Sequence, residues 1–462
     1  MERILVKETA TKIGERARVM GWVSVRRDHG KIIFIDLRDR SGILQLVFTP
    51  KNAELYKVAE TLRPEWVIAA EGVVAARPKG MENPELETGE IELPVETLEI
   101  LNKAEPPPFD IHEDGMEIEE EVRLRYRYLD LRRPRLQKNM RARAEFLKHV
   151  RDFLYERDFV EIETPLLTKS TPEGSRDFIV PSRLQAGKFY ALPQSPQQYK
   201  QLLMVAGFER YFQMARALRD EDLRADRGFE HTQVDLEMSF VGREDVMKTI
   251  EELVLYVMEK LGHKIKEKPF PVVTNKDALK KYGADKFDLR NEEEKKDGTL
   301  AFAWVVDFPV FEKDEKGKLT YGHNPFTAPR EEDVEKLMDG KDLEDLVSLQ
   351  YDLVCNGFEV GGGGIRINRP EVLKRVFEVI GYRSAHIEKE FGHMLEAFRH
   401  GAPPHGGIAL GVERFLMIML GESYLREVQA FPMTSGGKTA VMDAPSEVSK
   451  EQLKELRIRT EK

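Results

Sequence analysis

The chain has 462 residues, 41% of them hydrophobic and 33% charged, with a formal net charge of −10. That length supports two or three domains with sizeable cores. The lack of an apolar leader or of a run long enough to span a bilayer argues against secretion or membrane insertion and for a cytoplasmic protein. A single cysteine, Cys355, excludes an intrachain disulfide framework and a cysteine-based zinc site.

Residues 1–103 read as all-β. The runs GWVSVRR, IIFIDLRD and GILQLVF are separated by turn residues, and WVIAAEGVVAA and GEIELPVETLEIL follow. About five strands in a segment of this size fit an OB-type barrel, a platform for single-stranded nucleic acid. Phe34 and Gln45 fall on neighbouring strands, where one can stack a base and the other read its edge. Arg26, Arg27 and His29 beside them favour binding over a plain core role for Phe34.

Pro106-Pro107-Pro108 ends strand continuity and marks a linker, expected over residues 104–130. Arg123–Arg151 then carries eleven Lys or Arg against Asp130 and Glu145. Such a run can track phosphates, although a solvated helix face explains it equally. A helix is expected over Gln137–Arg157 from its apolar stripe, and another over Arg243–Leu261. Residues 264–296 look polar and irregular, Ala301–Phe311 reads as a strand, and Glu331–Met338 as a short helix. DLVCNGFEVGGGGIRI reads as two strands, and GIALGVERFLMIML as strand, turn and helix.

The stretch Tyr211–Phe240 is the most informative. His231, Gln233, Asp235 and Glu237 alternate with Thr232, Val234, Leu236 and Met238, so four polar side chains share one strand face. On the preceding strand Gln213, Ala215, Ala217 and Arg219 share a face, with two alanines leaving space and an arginine at the rim. A polar sheet face with room above it suits an amino acid and a nucleotide. The familiar nucleotide loops do not account for it. Pro432 stands where a P-loop before Lys438-Thr439 needs its first glycine, and Gly361–Gly364 lacks dinucleotide-fingerprint spacing.

These segments together resemble class II aminoacyl-tRNA synthetases, in particular the bacterial-type aspartyl branch. FVEIETPLLT around Pro165 is similar to the first class signature, FQMARALRDEDLRADRGFEHTQVDLEMSF to the second and GIALGVERF to the third. STPEGSRDF, ALPQSPQQYKQLLM, FEVGGGGIRI and REVQAFP are similar to aspartate-specific segments. The resemblance implies an α+β fold: an N-terminal OB-fold β-barrel over 1–103 that reads the anticodon, and a class II catalytic domain over 131–462 on an antiparallel sheet flanked by helices. Bacterial members carry a large insertion after the segment ending here in Asp288–Arg290. Here only a short remnant, 264–300, is expected.

The resemblance also implies the chemistry: ATP-dependent activation of L-aspartate and its transfer to the 3′ end of tRNA. Arg219 is then expected to hold the α-phosphate and Arg414 the γ-phosphate, with Glu221 at the adenine amino side and Gln233 in the ATP site. His231 stands where many relatives place a stacking phenylalanine. Asp352 and Glu359 are expected to hold Mg²⁺. Lys200 and Arg366, with His323 nearby, face the aspartate side chain; Asp235 and Gln197 face its ammonium; Ser195 lines the pocket and Glu173 lies in a loop closing over it. On the barrel, Arg27, Phe34, Gln45 and Glu92 match anticodon-reading positions. His29 and Gly80 match members that charge tRNA(Asn) as well as tRNA(Asp). The Pro165 segment implies a homodimer. Two readings compete: a catalytically inactive RNA-binding relative, which should have lost Arg219, Asp352, Glu359 or Arg414, and an aspartate–ammonia ligase-like enzyme, which should lack the barrel.

Overall fold

A computed structural model describes residues 1–170 and 175–460. The chain divides into two compact units, Met1–Glu113 and Asp114–Lys462.

In the first unit the strands are β1 (Arg16–Asp28), β2 (Ile33–Asp39), β3 (Gly42–Phe48), β4 (Val67–Val73), the short β5 (Ala75–Ala76) and β6 (Ile91–Asn102). Their order is β3-β2-β1-β4-β6-β5, and an additional β3–β6 pairing closes the sheet into a barrel. Alternation decides what lies inside: Ile33, Ile35 and Leu37 of β2 are buried with Val19, Leu44, Leu46 and Leu93, while Phe34, Asp36 and Arg38 face outward. One element was not foreseen. Helix α1 (Ala53–Thr61) lies between β3 and β4, started by Asn52, whose side chain accepts the Leu55 N–H.

The second unit opens with α2 (Glu120–Arg125), α3 (Arg127–Asp130) and α4 (Pro134–Tyr155), followed by β7 (Val160–Glu161), the hairpin β8 (Ile179–Pro181) and β9 (Phe189–Ala191), and α5 (Gln197–Val205). Next come β10 (Arg210–Leu218), β11 (Glu230–Ser239) and α6 (Arg243–Lys260), then β12 (Val272–Thr274), α7 (Asn275–Tyr282), α8 (Glu292–Lys296) and β13 (Phe302–Val306). The hairpin β14 (Phe311–Lys313) and β15 (Leu319–Tyr321), helix α9 (Glu331–Asp339), strands β16 (Gln350–Cys355) and β17 (Phe358–Ile365), helices α10 (Pro370–Val379) and α11 (Ser384–Arg399), β18 (His405–Gly411), α12 (Val412–Leu420) and α13 (Lys450–Leu456) complete it.

Eight of these strands form one sheet in the order β12-β13-β16-β17-β18-β11-β10-β7. It is antiparallel except at its edges, where β12 runs parallel to β13 and β7 to β10. Val234, Leu236 and Met238 of β11 enter the main core with Phe146 and Val150 of α4, Ile250 of α6 and Phe415 of α12. The other face of β11 is therefore the polar one.

Two segments differ from expectation. Residues 264–296 are ordered: β12 extends the main sheet, and α7 and α8 begin at the side-chain caps Thr274 and Asn291. The strand expected over Ala301–Phe311 stops at Val306, because Asp307 takes a left-handed conformation (φ 62°) and its carboxylate binds Arg243 at 2.7 Å and Arg330 at 2.8 Å.

The basic run of the sequence is partly turned inward. Arg127 and Arg133 pair with the fully buried Asp130 at 2.6 and 2.7 Å. Arg123 pairs with Glu427 at 2.9 Å, Arg135 with Glu422 at 2.6 Å and Glu427 at 2.8 Å, and Arg143 with Glu413 at 2.8 Å. Arg127 also donates to the carbonyls of Arg426, Gln429 and Ala430. These arginines tie α2–α4 to α12 and the segment after it, so five of the eleven cations of the run form a structural ion-pair network. Removing one partner of a buried pair strands the other charge. Asp130→Asn is expected to destabilise the second unit by about 3–5 kcal/mol, measured by urea unfolding of the full chain; an unchanged midpoint contradicts this.

Candidate active site

The polar face of β11 floors two adjoining cavities. Ala215 and Ala217 of β10 lie directly opposite Gln233 and His231, so methyl groups stand where larger side chains would fill the space. One cavity is lined by Ser195, Gln197, Lys200, Arg219, Gln233, Asp235, His323, Glu359 and Arg366. Its neighbour is lined by Arg219, Glu221, His231, Gln233, Glu359 and Arg414. Arg219, Gln233 and Glu359 belong to both, so the boundary between the two cavities passes over the rim arginine. Asp352 sits behind the first cavity, bonded to Gln350 at 2.7 Å and to His323 at 3.3 Å. Glu173 lies outside the described residues.

Charge in the first cavity is held by a buried network. Lys200 contacts Asp235 at 3.0 Å and Glu237 at 3.3 Å, and Arg366 contacts Glu237 at 2.9 Å. All four are almost fully buried. Gly407 on the neighbouring strand makes room for the network, since a Cβ there would collide with Glu237 Oε2. Burial pushes the Asp235 carboxyl up to about 6, only partly countered by Lys200. For Glu237 burial acts the same way, but Arg366 and Lys200 outweigh it and lower the carboxyl below its usual value. Among the described residues Asp235 Oδ1, Gln233 Oε1 and Gln197 Nε2 are buried without a hydrogen-bond partner. Two orphan acceptors and one orphan donor around one space signal a polar ligand.

In the second cavity burial and the neighbouring Arg219, Arg414 and Arg216 lower His231 to about 3, so its imidazole is neutral at physiological pH. Arg414 at the start of α12 donates to the Glu359 carbonyl at 2.7 Å and pairs with Asp226 at 3.2 Å. Arg219 donates to the Gln194 carbonyl at 3.3 Å. Partial burial lowers His323, yet the adjacent Asp352 carboxylate prevails and raises it to about 9.

Asp352 and Glu359 fit a divalent cation. A Cβ at Gly362 would sit 3.1 Å from Asp352 Oδ1 and 3.4 Å from Glu359 Oε1, so both carboxylates converge on the space a glycine leaves open. Burial raises Asp352, and the negative Glu359 adds to it, an arrangement a cation relieves. Among the described residues no three acidic, His or Cys side chains form a complete metal cage. Two carboxylates with the remaining oxygens supplied by phosphates is how magnesium is commonly held.

On the barrel, Arg27, Phe34, Asp36 and Gln45 share the outer face. Arg27 binds Asp36 at 2.6 and 2.7 Å, and Gln45 bonds to Glu92 at 3.1 Å. The His29 ring meets Phe34 edge-on at 5.6 Å. Gly80 lies exposed in the loop between β5 and β6, with φ 86° and open space where a side chain would project. Sequence reasoning assigned no role to Glu237, Gln194, Lys286 or Glu413. Glu237 was legible as the fourth polar residue of β11, and Gln194 and Glu413 lie within the quoted segments ALPQSPQQYKQLLM and GIALGVERF; only Lys286 comes from a stretch with no local signature.

An antiparallel sheet carrying this cavity pair, with a closed OB barrel on the same chain, defines an aminoacyl-tRNA synthetase of the second class. The chain belongs to the tRNA synthetases class II (D, K and N), which it matches over residues 119–435, and residues 17–101 match the OB-fold nucleic acid binding domain. It is 42% identical to the aspartate–tRNA(Asp/Asn) ligase of Rubrobacter xylanophilus, covering 97% of this chain and 95% of that one. The ligase of the same name from Dictyoglomus turgidum is also 42% identical, over 97% and 96%. The first alignment runs over 573 positions against 462 residues here, so that relative carries residues with no counterpart in this chain. Among solved structures, Pyrococcus horikoshii asparaginyl-tRNA synthetase with asparaginyl-adenylate superposes with a TM-score of 0.76 at 24% identity, covering 94% of this chain and 98% of that one. Entamoeba histolytica aspartyl-tRNA synthetase superposes with a TM-score of 0.75 at 21% identity, covering 94% and 91%. At these identities the two structures speak for the fold.

The Asp235 pKa carries a consequence for stability. Its carboxyl ionises at 3.8 when unperturbed, as in the unfolded chain, and at about 6 when folded. Between those values the folded protein binds more protons, so this group's contribution to stability falls as pH rises through about 6. Asp235→Asn, which keeps the shape and removes the buried charge while Lys200 stays paired with Glu237 at 3.3 Å, is expected to melt above the parent at pH 7.5, with the gain vanishing near pH 4. No gain at pH 7.5 in a thermal melt would contradict this.

Proposed function

We infer that the protein is an aspartate–tRNA ligase that activates L-aspartate with ATP and transfers it to tRNA(Asp) and tRNA(Asn). The observation that carries the reading is the pair of buried cations, Lys200 and Arg366, fixed by Glu237 at the end of a cavity whose other end is rimmed by Arg219. An amino acid with a carboxylate at each end suits such a space.

In this reading Lys200 and Arg366 take the side-chain carboxylate, while Asp235 Oδ1 and Gln197 take the α-ammonium beside Ser195. The α-carboxylate then meets the α-phosphate at Arg219, whose fork of donors can engage both. The carboxylate oxygen bonds to the α-phosphorus as the bridge to the β-phosphate breaks and pyrophosphate leaves. The nucleophile is already an anion, so positioning and charge neutralisation carry the step without a general base. Neutral His231 and Gln233 face the adenine end with Glu221, and Arg414 faces the γ-phosphate. Asp352 and Glu359 would hold a magnesium ion, whose chemistry when bound is to neutralise phosphate charge. In the second step the terminal ribose 3′-hydroxyl attacks the aspartyl carbonyl, the carbonyl–phosphate bond breaks and AMP leaves, the hydroxyl proton passing to its phosphate or to water.

Discrimination follows from electrostatics. Asparagine would leave a buried cation without its counter-charge, a situation costing about 3–5 kcal/mol in broken buried pairs. For tRNA, the outward Phe34 with Arg27, Gln45 and Glu92 supports anticodon reading on the barrel, where an aromatic stacks a base and polar groups read its edges. His29 and Gly80, together with the dual-specificity names of the relatives, support charging of both tRNAs. The exposed Val160, Leu166 and Leu167 near the β7 edge support self-association as a homodimer. Among the described residues no helix is long and apolar enough to cross a membrane; a cytoplasmic site of action fits translation.

ATP–pyrophosphate exchange across a panel of amino acids tests the first step. Exchange with aspartate and not asparagine is expected, and Lys200→Met should lose it by two orders of magnitude or more, as about 3–5 kcal/mol implies. Near-parental exchange in that variant rejects the assignment. Aminoacylation of both purified tRNAs tests the second step, and failure to charge tRNA(Asn) restricts the enzyme to tRNA(Asp).

A further inference from the structure

The cavity assigned to ATP contains a cation that comes from outside the class signatures. Lys286 lies between α7 and α8. Its backbone is well anchored. The next residue, Phe287, is buried and stacked on Tyr282 at 4.2 Å, and the Phe287 carbonyl accepts the Gly357 N–H at 3.0 Å from the turn between β16 and β17. From this anchor the Lys286 side chain reaches the cavity shared with Arg219, His231 and Arg414, and its ammonium sits 2.9 Å from Glu359 Oε2.

That contact is poorly suited to a structural role. The two side chains are 41% and 27% exposed, and half-exposed ion pairs contribute little stability. Its position, on one of two carboxylates suited to a divalent cation, is more informative. Lys286 holds Oε2 while the cation space faces Oε1, and an ammonium and a divalent cation on one carboxylate repel each other, so a bound cation weakens the lysine contact. Arg414 is already engaged by the Glu359 carbonyl and Asp226, whereas Lys286 is a mobile charge on a four-carbon stem. When metal and nucleotide arrive together, the phosphate oxygens are the acceptors to which a displaced ammonium can turn. The geometry points to Lys286 as a further ATP-binding residue, which pairs with Glu359 and passes to the β- and γ-phosphate oxygens when a divalent cation binds that carboxylate. The inference rests on the ATP-site reading given above.

Calorimetric titration of Lys286→Met and Lys286→Arg, without aspartate, tests it. The methionine variant is expected to bind ATP with magnesium about tenfold more weakly than the parent, the loss of one charge-assisted bond, and to bind AMP equally well. The arginine variant should recover most of the difference. Manganese alone, followed by paramagnetic resonance, should bind the methionine variant more tightly, because Glu359 no longer has a competing cation. Parental ATP affinity in Lys286→Met overturns the proposal, as does an equal loss for AMP and ATP. If Arg219→Ala also binds ATP like the parent, the reading of the whole cavity fails and not that of Lys286 alone.

Discussion

Glu237 is the carboxylate on which the first cavity depends. It sits on β11 with no access to solvent, and both Lys200 and Arg366 lean on it. Two buried cations facing one space would repel each other and be driven apart or out to water. A shared anion between them keeps both charged and both aimed the same way. Its own place depends on Gly407, because any side chain there would occupy the volume of the carboxylate. Gly362 of β17 and Gly407 of β18 are thus part of the electrostatics: a Cβ at either would crowd the carboxylates of Asp352 and Glu359 or of Glu237.

The two faces of β11 divide the labour of the catalytic unit. One face feeds the main hydrophobic core through Val234, Leu236 and Met238, and the opposite face carries the polar residues. Rigidity is supplied from below by that core and from the side by the arginine network of α2–α4. Arg143 shows how directly the network reaches the site: it binds Glu413, the residue before Arg414, and the Thr232 hydroxyl between His231 and Gln233. Glu413 in turn accepts the Thr232 N–H at 2.8 Å, continuing the β11–β18 ladder as the chain turns into α12. A helix that looks like a basic surface in the sequence thereby orders the wall of the second cavity.

The stretch between α6 and β13 links architecture to chemistry. It is a folded connection with capped helices and a strand that completes the sheet edge. Its role extends to the cavity through Lys286. Composition gave no hint of this, because a polar stretch with short capped helices has weak periodicity and the side chain that reaches the cavity is a lysine among many.

The alternation of β11 and the spacing of its partner strand were legible in the sequence, because a period of two fixes which side chains share a face whatever the surrounding fold. Phe34 and Gln45 were legible as neighbours on adjacent strands of the barrel, whereas the caps Thr274 and Asn291 went unread in a stretch taken as irregular, although capping is local chemistry. Other features were settled only in three dimensions. Whether an arginine of α4 points to water or to Glu413 depends on which elements pack against it. The end of β13 at Asp307 depends on two distant arginines, and the meeting of Lys200, Arg366 and Glu237 depends on strand register. The physical reason is range: backbone period and capping act over a few residues, whereas burial and charge pairing join groups hundreds of residues apart, as with Arg123 and Glu427, which only the folded sheet and its helices bring together.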